Sequence, residues 1–216
     1  MEKHIYFVRH GQTDSNKDGM LRGENAMLND RGRKQANIVA ERIEQIGVEA
    51  LIASPFPRAM ETADYISKRI KLPVEQSGLF VEVRRASVTN GLHREDPEAL
   101  ELTTKIFEGL AIPGFRHSDE ENLDDLKERA NAALALLAAH PKDRICVVTH
   151  GLFMRVLFCA AVHGDDFSGE TLMHLIRALE TANTNVTHFV LRQDPFHTEP
   201  LLRWYVENWN DATHLD

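Results

Sequence analysis

Short apolar runs alternate with amphipathic segments along most of this chain. Apolar, β-rich runs predict buried strands at Ile5–Val8, Leu51–Ala53, Pro73–Glu75 and Arg144–Thr149, and two further strands at Asn185–Leu191 and Leu201–Val206, around a turn at Asp194-Pro195. Apolar positions three or four residues apart predict helices at Arg33–Ile46, after Ser54-Pro55, and at Leu123–Leu137, Phe153–Ala161 and Gly169–Leu179. Because strands that alternate with helices pair mainly in parallel, we predict an α/β fold, a mostly parallel sheet with helices on both faces.

The stretch from Gly78 to His117 departs from this alternation. Turn signals at Asn90-Gly91, Asp96-Pro97 and Pro113-Gly114 surround a single predicted helix, Glu98–Phe107. After it, Ser118–Glu121 has the spacing of a helix capping box. We therefore predict one domain over residues 1–216, with a helical cap inserted at about residues 78–117.

Two of the predicted strands end in a histidine followed by a glycine. Arg9-His10-Gly11 follows the first strand and His150-Gly151 follows the fourth. In sheets of this kind ligands bind at the carboxyl ends of the strands, and glycine permits close approach there. The Ser54-Pro55 pair has the chemistry of an N-cap and first helical turn, which places Arg58 at the start of a helix. Two guanidinium groups and helix N-terminal amides suit a phosphate dianion.

Four motifs stand in a specific order along the chain. They are Arg9-His10-Gly11-Gln12-Thr13 with Asn16, Ser54-Pro55 to Arg58-Ala59 with Thr62, Glu82, and Val148-Thr149-His150-Gly151. Smaller landmarks agree in order, namely Leu28, Gly32, Gln35, Ala36, Glu121, Leu126 and Arg129. From about Lys3 to Leu191 the sequence resembles the histidine phosphatase superfamily, also called phosphoglycerate mutase-like proteins. One such motif is weak evidence, whereas four in order are strong.

The resemblance implies a metal-independent phosphatase without a cofactor. His10 corresponds to the family's nucleophile, which attacks phosphorus and forms a phosphohistidine that water hydrolyses. Arg9, Arg58 and His150 correspond to residues that stabilise the transferred phosphoryl group, and Glu82 to the acid that protonates the leaving group. The substrate-binding positions that we assign are Gly11, Thr13, Asn16, Arg22, Gly23 and Gly151.

Elementary chemistry supports two of these assignments. An imidazole must be neutral to attack phosphorus, and the neighbouring Arg9 and Arg58 should favour the neutral form of His10. The acid must keep a proton near neutral pH, so we expect Glu82 to be partly buried among its apolar neighbours, such as Phe80.

The sequence departs from the mutase branch just after the predicted acid. That branch has an aromatic and glycine-rich segment there, whereas this chain has Val83-Arg84-Arg85-Ala86. A phosphatase is therefore favoured, while a mutase-type phosphoryl transferase and a non-catalytic phosphate-binding module stay as alternatives. The insert residues Arg84, Arg85, His93 and Arg94 either hold the rest of the substrate or are surface charges.

Composition narrows the partners and the compartment. The 216 residues carry 25 Lys and Arg against 33 Asp and Glu, a formal charge of −8. A net anion lacks the cationic field that nucleic-acid binding needs, so we expect a small phosphomonoester, or a phosphoprotein, rather than a nucleic acid. Two cysteines, the lack of a signal peptide and a longest apolar run shorter than the ~20 residues of a membrane span predict a soluble cytoplasmic protein without a membrane partner. The sequence does not indicate an oligomeric state.

Overall fold

A computed structural model describes residues 2–21, 24–197 and 201–215 of the chain. These residues form six strands, which are β1 (Lys3–Arg9), β2 (Ala50–Ala53), β3 (Val74–Gln76), β4 (Arg144–Thr149), β5 (Val186–Gln193) and β6 (Leu202–Asp211). The α-helices are α1 (Asp14–Asp18), α2 (Asp30–Ile46), α3 (Pro57–Ile70), α4 (Pro97–Gly109), α5 (Leu123–Ala139), α6 (Gly151–His163) and α7 (Gly169–Ala178). No helix in these ranges is long and apolar enough to cross a membrane.

The six strands form one sheet in the order β3-β2-β4-β1-β5-β6. The first four strands in that order run parallel, β5 runs antiparallel to β1, and β6 runs antiparallel to β5. Arg9 of β1 pairs with Thr149 of β4, and Ala53 of β2 pairs with Val148 of β4. The carboxyl ends of β1, β2 and β4 therefore lie side by side, and the predicted mostly parallel sheet is confirmed.

Both faces of the sheet are covered by helices, as the continuous apolar strands predict. On one face, strand residues such as Phe7 and Val147 pack against α5 and α6, and on the other face Val8 and Val148 pack against α2 and α3. The apolar stripes of these helices are fully buried, so each large side chain contributes roughly 1.5–3 kcal/mol to stability. These two cores fix the relative positions of the strand ends.

The structure corrects the predicted starts of α2 and α3 and the predicted cap of α5. Helix α3 begins at Pro57 rather than at Ser54-Pro55, because the Ser54 hydroxyl bonds to a histidine instead of capping the helix. The capping box of α5 is formed by Asn122 and Asp125, not by Ser118–Glu121, because the Glu121 carboxylate pairs with an arginine. Helix α2 begins at Asp30, three residues before the predicted Arg33. The five-residue α1 has no apolar period and was not predicted.

The segment between Gly78 and His117 contains two short 3₁₀ turns and α4. The predicted helix Glu98–Phe107 is confirmed as α4, which starts at Pro97. Residues of this segment from Glu82 to Arg94 line the same cavity as the carboxyl ends of the strands. This segment therefore brings polar side chains to the cavity at the strand ends.

Two glycines allow the chain leaving β1 to lie directly on α2. A Cβ atom on Gly11 would be 2.5 Å from the carbonyl oxygen of Gly32, and one on Gly32 would be 2.1 Å from the carbonyl oxygen of Gln12. The Gln12 amide donates to Gln35 Oε1 at 3.0 Å, and its carbonyl accepts from the Asn29 amide at 3.0 Å. The contact is backbone against backbone, so a methyl group there cannot be accommodated by a side-chain rotation.

We predict that Gly32→Ala destabilises the protein by about 1–3 kcal/mol, although alanine is the better helix former, because the added methyl overpacks this contact. Urea unfolding measures the change. Gly78→Ala is the control, since a Cβ atom there meets nothing within 4 Å. Equal stability of the Gly32→Ala variant and the unchanged protein would contradict the prediction.

Candidate active site

An open cavity of about 970 Å³ lies at the carboxyl ends of β1, β2 and β4. Arg9 and His10 enter it from the end of β1, Arg58 from the first turn of α3, and Gly151 from the first turn of α6. Glu82 reaches it from the inserted segment. The structure thus brings together residues that lie as much as 142 positions apart in the chain.

His10 is held as a neutral imidazole with a defined tautomer. Its side chain is 3% exposed, and Nδ1 lies 2.7 Å from the carbonyl oxygen of Gly11, which can only accept a hydrogen bond. Nδ1 therefore carries the proton, and Nε2 accepts a hydrogen bond from Arg58 Nε at 3.2 Å. Burial, then the charges of Arg58 and Arg9, lower the pKa of His10 well below its ordinary value. The lone pair of the neutral ring is consequently on Nε2, where it accepts the hydrogen bond from Arg58.

Among the described residues, no carboxylate lies at ion-pair distance from Arg58. Its Nη1 donates to the carbonyl oxygen of Glu24 at 3.1 Å, and its guanidinium lies 5.1 Å from the centroid of the Phe56 ring. Thr62, one turn further along α3, donates to the Arg58 carbonyl at 2.8 Å and accepts from the Gly11 amide at 3.1 Å. The amide of Gly11 is therefore already bonded, so its predicted contact with substrate does not use this donor.

Arg9 passes over the first residue of α6. Its Nη1 donates to the Thr181 carbonyl, whereas its buried Nε has no partner among the described residues. A Cβ atom on Gly151 would lie 3.2 Å from Arg9 Nε and 2.7 Å from Thr181 Oγ1. Burial is the main cause that lowers the pKa of Arg9 to about 10, so it stays charged at neutral pH. The close approach that Gly151 permits is thus that of the Arg9 side chain.

His150 is fully buried beside His10, with their ring centroids 5.1 Å apart. Its Nε2 lies 2.8 Å from Ser54 Oγ, which already accepts a hydrogen bond from the Phe56 amide at 3.3 Å. Nε2 and Ser54 Oγ share one hydrogen bond, and Nδ1 has no partner in the described ranges. Burial, followed by His10 and the nearby arginines, lowers the pKa of His150 well below its usual value.

Glu82 lies against the N-terminus of α6. Its Oε1 accepts from the amides of Val83 at 2.9 Å and Phe153 at 3.0 Å, and its Oε2 accepts from the Leu152 amide at 3.3 Å. The expected partial burial is confirmed, but the expected apolar surroundings are wrong. The neighbouring Phe80 turns into the core, so the carboxyl group faces amides and the positive end of a helix dipole instead.

The predicted substrate-binding residues have different surroundings. Thr13 and Asn16 line the cavity and cap α1 together, since the Thr13 amide donates to Asn16 Oδ1 at 3.2 Å and Thr13 Oγ1 accepts from the Asn16 amide. Arg22 and Gly23 lie outside the described residues. Sequence reasoning missed Asn183, whose Nδ2 donates to the His10 carbonyl at 3.0 Å and to Asn16 Oδ1 at 3.3 Å. It follows α7 in a stretch with no periodic pattern.

Sequence reasoning also missed Arg155, which lines the cavity one turn after Gly151. Its guanidinium donates to the carbonyl oxygens of Leu179 and Gly151, the second at 3.0 Å, and so joins α6 to the segment after α7. The only signal in the sequence is that this arginine interrupts an otherwise apolar helix. His93, by contrast, is outside the cavity lining and its ring contacts Gly19.

Six arginines line the cavity, and within the described residues none of them lies within ion-pair distance of a carboxylate. They are Arg9, Arg58, Arg84, Arg85, Arg94 and Arg155. Seven arginines elsewhere do form ion pairs, namely Arg33, Arg42, Arg69, Arg116, Arg129, Arg192 and Arg203. Four acidic side chains, Glu24, Glu82, Asp119 and Glu180, line the same cavity, so six guanidinium groups face four carboxyl groups and the cavity is a local cationic site in an acidic protein.

The chain is similar to known proteins along nearly its whole length. A family model described as the histidine phosphatase superfamily (branch 1) matches residues 5–201. The metal-independent phosphoserine phosphatase of Arabidopsis thaliana is 30% identical over 98% of this chain and 82% of its own length. Phosphoglycerate mutase-like protein 4 of the same plant is 30% identical over 98% of this chain and 86% of its own length. A mycobacterial glucosyl-3-phosphoglycerate phosphatase has the same fold, with a TM-score of 0.78 at 22% identity over 97% of this chain and 100% of that chain.

We predict that the free energy of unfolding decreases as the pH is lowered below about 6.5, the ordinary pKa of imidazole. In the folded state His10 and His150 stay neutral, whereas in the unfolded chain each of them binds one additional proton. Each histidine therefore lowers the free energy of unfolding by up to about 1.4 kcal/mol for each pH unit of acidification. Urea unfolding between pH 7 and pH 5 should show a flatter pH dependence for His150→Gln. The exposed His174 gives the control variant His174→Gln, and equal slopes for all three proteins would refute the prediction.

Proposed function

The chain belongs to the histidine phosphatase superfamily and is a phosphatase, and we propose that it hydrolyses phosphomonoesters through a phosphohistidine on His10. The observation that carries the proposal is the state of His10, a neutral imidazole whose lone pair on Nε2 lies beside the Arg58 guanidinium. An anionic phosphoryl group bound to Arg58 is then adjacent to the nucleophilic nitrogen.

In the first step the lone pair of His10 Nε2 forms a bond to phosphorus while the ester P–O bond breaks, and its electron pair leaves with the oxygen. Glu82 gives its proton to that oxygen, so the leaving group departs as a neutral alcohol. The phosphorylated ring gains positive charge, which the Gly11 carbonyl stabilises through Nδ1–H at 2.7 Å. Arg9, Arg58 and His150 supply donors for the equatorial phosphoryl oxygens.

In the second step a water molecule attacks the phosphohistidine and the Glu82 carboxylate takes its proton. The N–P bond breaks, its electron pair returns to Nε2, and inorganic phosphate leaves. Of the two carboxyl oxygens, Oε2 suits both proton transfers better, since it accepts one long hydrogen bond whereas Oε1 accepts two shorter ones. Arg9 and Arg58 provide the positive charge at phosphorus, so the mechanism uses no metal ion and no cofactor.

The arginines further from His10 suggest which substrates fit. Arg85 donates no hydrogen bond within the described ranges, and its charge contributes to lowering the pKa of Arg58, so it lies close to the phosphate position. Arg94 likewise acts on the pKa of Arg9. The two relatives at 30% identity are named for phosphoserine and phosphoglycerate, small phosphate esters that also carry a carboxylate. We propose a small phosphomonoester with a second anionic group as substrate, with residues 78–117 acting as a cap inside a single domain.

Two observations favour hydrolysis over the alternatives. The segment Val83–Ala86 lacks the aromatic and glycine-rich residues that follow the acid in the mutase branch, and Arg84 and Arg85 occupy the cavity there. The site also keeps a neutral nucleophile and an acid, which phosphate binding alone does not need. A cytoplasmic location stays a prediction, supported by the two free buried cysteines.

We expect the protein to release inorganic phosphate from p-nitrophenyl phosphate in the presence of EDTA. His10→Ala should abolish turnover, because no other group provides the lone pair, and the unchanged protein should carry an acid-labile, alkali-stable phosphoryl label on His10. His174→Ala, at an exposed position of α7, is the matched control. Transfer of the label to a second hydroxyl without phosphate release would indicate a mutase, and binding of vanadate without any turnover would indicate a binding module.

The substrate proposal predicts that Arg85→Ala lowers kcat/KM about tenfold for 3-phosphooxypropanoate, because one charge-assisted hydrogen bond to its carboxylate is lost. The neutral counterpart propyl phosphate should be affected less than twofold. Arg177→Ala removes an exposed arginine outside the cavity and should change neither value. An equal loss for both substrates in the Arg85→Ala variant would contradict a subsite for a second anion.

A further inference from the structure

We propose that the ion pair between Glu121 and Arg129 is a positioning device that holds Glu82 in place for proton transfer. The inference rests on the proposed role of Glu82 as the acid. Neither Glu121 nor Arg129 lines the 970 Å³ cavity, whereas Glu82 does. The pair therefore acts through the backbone rather than on the substrate.

The pair has the geometry of a strong, oriented interaction. Arg129 Nε and Nη2 donate to Glu121 Oε1 and Oε2 at 2.7 and 2.8 Å, a bidentate arrangement, and the two side chains are only 13% and 10% exposed. The guanidinium also lies 3.9 Å from the centroid of the Phe153 ring. With both side chains fixed by these contacts, the remaining donors and acceptors have defined directions.

Those remaining groups bind the backbone on both sides of the acid. Before Glu82, Arg129 Nη1 donates to the carbonyl oxygens of Leu79 at 3.1 Å and Val81 at 2.9 Å. After it, Glu121 Oε2 accepts from the Arg84 amide at 2.8 Å, and the Glu121 amide donates to the Arg84 carbonyl at 3.0 Å. The pair therefore holds residues 79–84 at two points, with Glu82 between them.

The acid needs such support because its own segment has little regular structure. Residues 81–86 form neither helix nor strand, so no ladder of hydrogen bonds fixes their position. The carboxyl group of Glu82 bonds to the Phe153 amide, and the Phe153 ring is the surface on which Arg129 lies. The Arg129 guanidinium thus fixes the position of the segment that carries Glu82 relative to α6.

A role in stability alone explains this arrangement less well. Burying an ion pair costs desolvation energy that its attraction often only balances, so such a pair is weak evidence for stabilisation. Proton transfer, by contrast, is sensitive to displacements of about 1 Å. The distinguishing property of a displaced acid is seen in kcat/KM, which reports the phosphorylation of His10 and not the later hydrolysis that all substrates share: only substrates with poor leaving groups lose kcat/KM.

The test is the leaving-group dependence of the isosteric variant Glu121→Gln and of Arg129→Lys. For an alkyl phosphate such as propyl phosphate, whose alkoxide must be protonated as it leaves, we expect kcat/KM to fall by about 10². For p-nitrophenyl phosphate, whose anion leaves without a proton, we expect a change below about threefold. Across a series of phosphate esters, the rate should depend more steeply on the pKa of the leaving group than it does in the unchanged protein.

Two control variants separate the possible failures. Lys3→Met removes another buried cation that binds backbone, since Lys3 Nζ donates to the carbonyls of His140 and Lys142 at the opposite end of β1, and it should leave the leaving-group dependence unchanged. Glu82→Gln should show the same selective loss with propyl phosphate as Glu121→Gln and Arg129→Lys, and the loss should be larger. Parallel loss on both substrates in Glu121→Gln would overturn the positioning role, whereas absence of leaving-group dependence in Glu82→Gln would overturn the proposed acid itself.

Discussion

The arrangement on which the site depends is the burial of two guanidinium groups beside two neutral imidazoles, with no carboxylate of the described residues at ion-pair distance from either guanidinium. Buried charges without hydrogen-bond partners are costly, and here the partners are backbone carbonyls, that of Glu24 for Arg58 and that of Thr181 for Arg9. Carbonyl dipoles satisfy the donors but do not cancel the charge. The site therefore stays net positive, keeps His10 neutral and retains its attraction for a dianion.

The sheet makes this arrangement possible because it fixes three strand ends before any side chain is placed. The register between β1, β2 and β4 sets the backbone positions of His10, Ser54 and His150, and the backbone bonds from His10 and Ser54 to β4 measure 3.0 Å each. The buried strands and the two helical layers follow from short apolar runs and helical periodicity. The apolar pattern is strong because a strand that is buried on both faces of the sheet must be apolar at nearly every position. For this reason the fold and the strand-end residues were predictable from the sequence.

Other parts of the site could not be predicted because their roles arise from long-range contacts. Asn183 and Arg155 bind backbone carbonyls, and any polar side chain in a loop or helix looks equally able to do so. The surroundings of Glu82 were predicted wrongly because sequence neighbours alternate in direction, and its real neighbours come from α6. The capping box of α5 was misplaced because Glu121 is committed to Arg129, eight residues further on.

The backbone contact between Glu121 and Arg84 divides the inserted segment into two parts. Up to Arg84 the chain is tied to the ion pair, whereas Arg85 and Arg94 beyond it are exposed side chains on the wall of the cavity. Residues after this boundary can be exchanged without moving the Glu82 carboxyl group. If Glu82 is the acid, such a division would let the groups that contact the rest of the ester change while the proton-transfer geometry is kept.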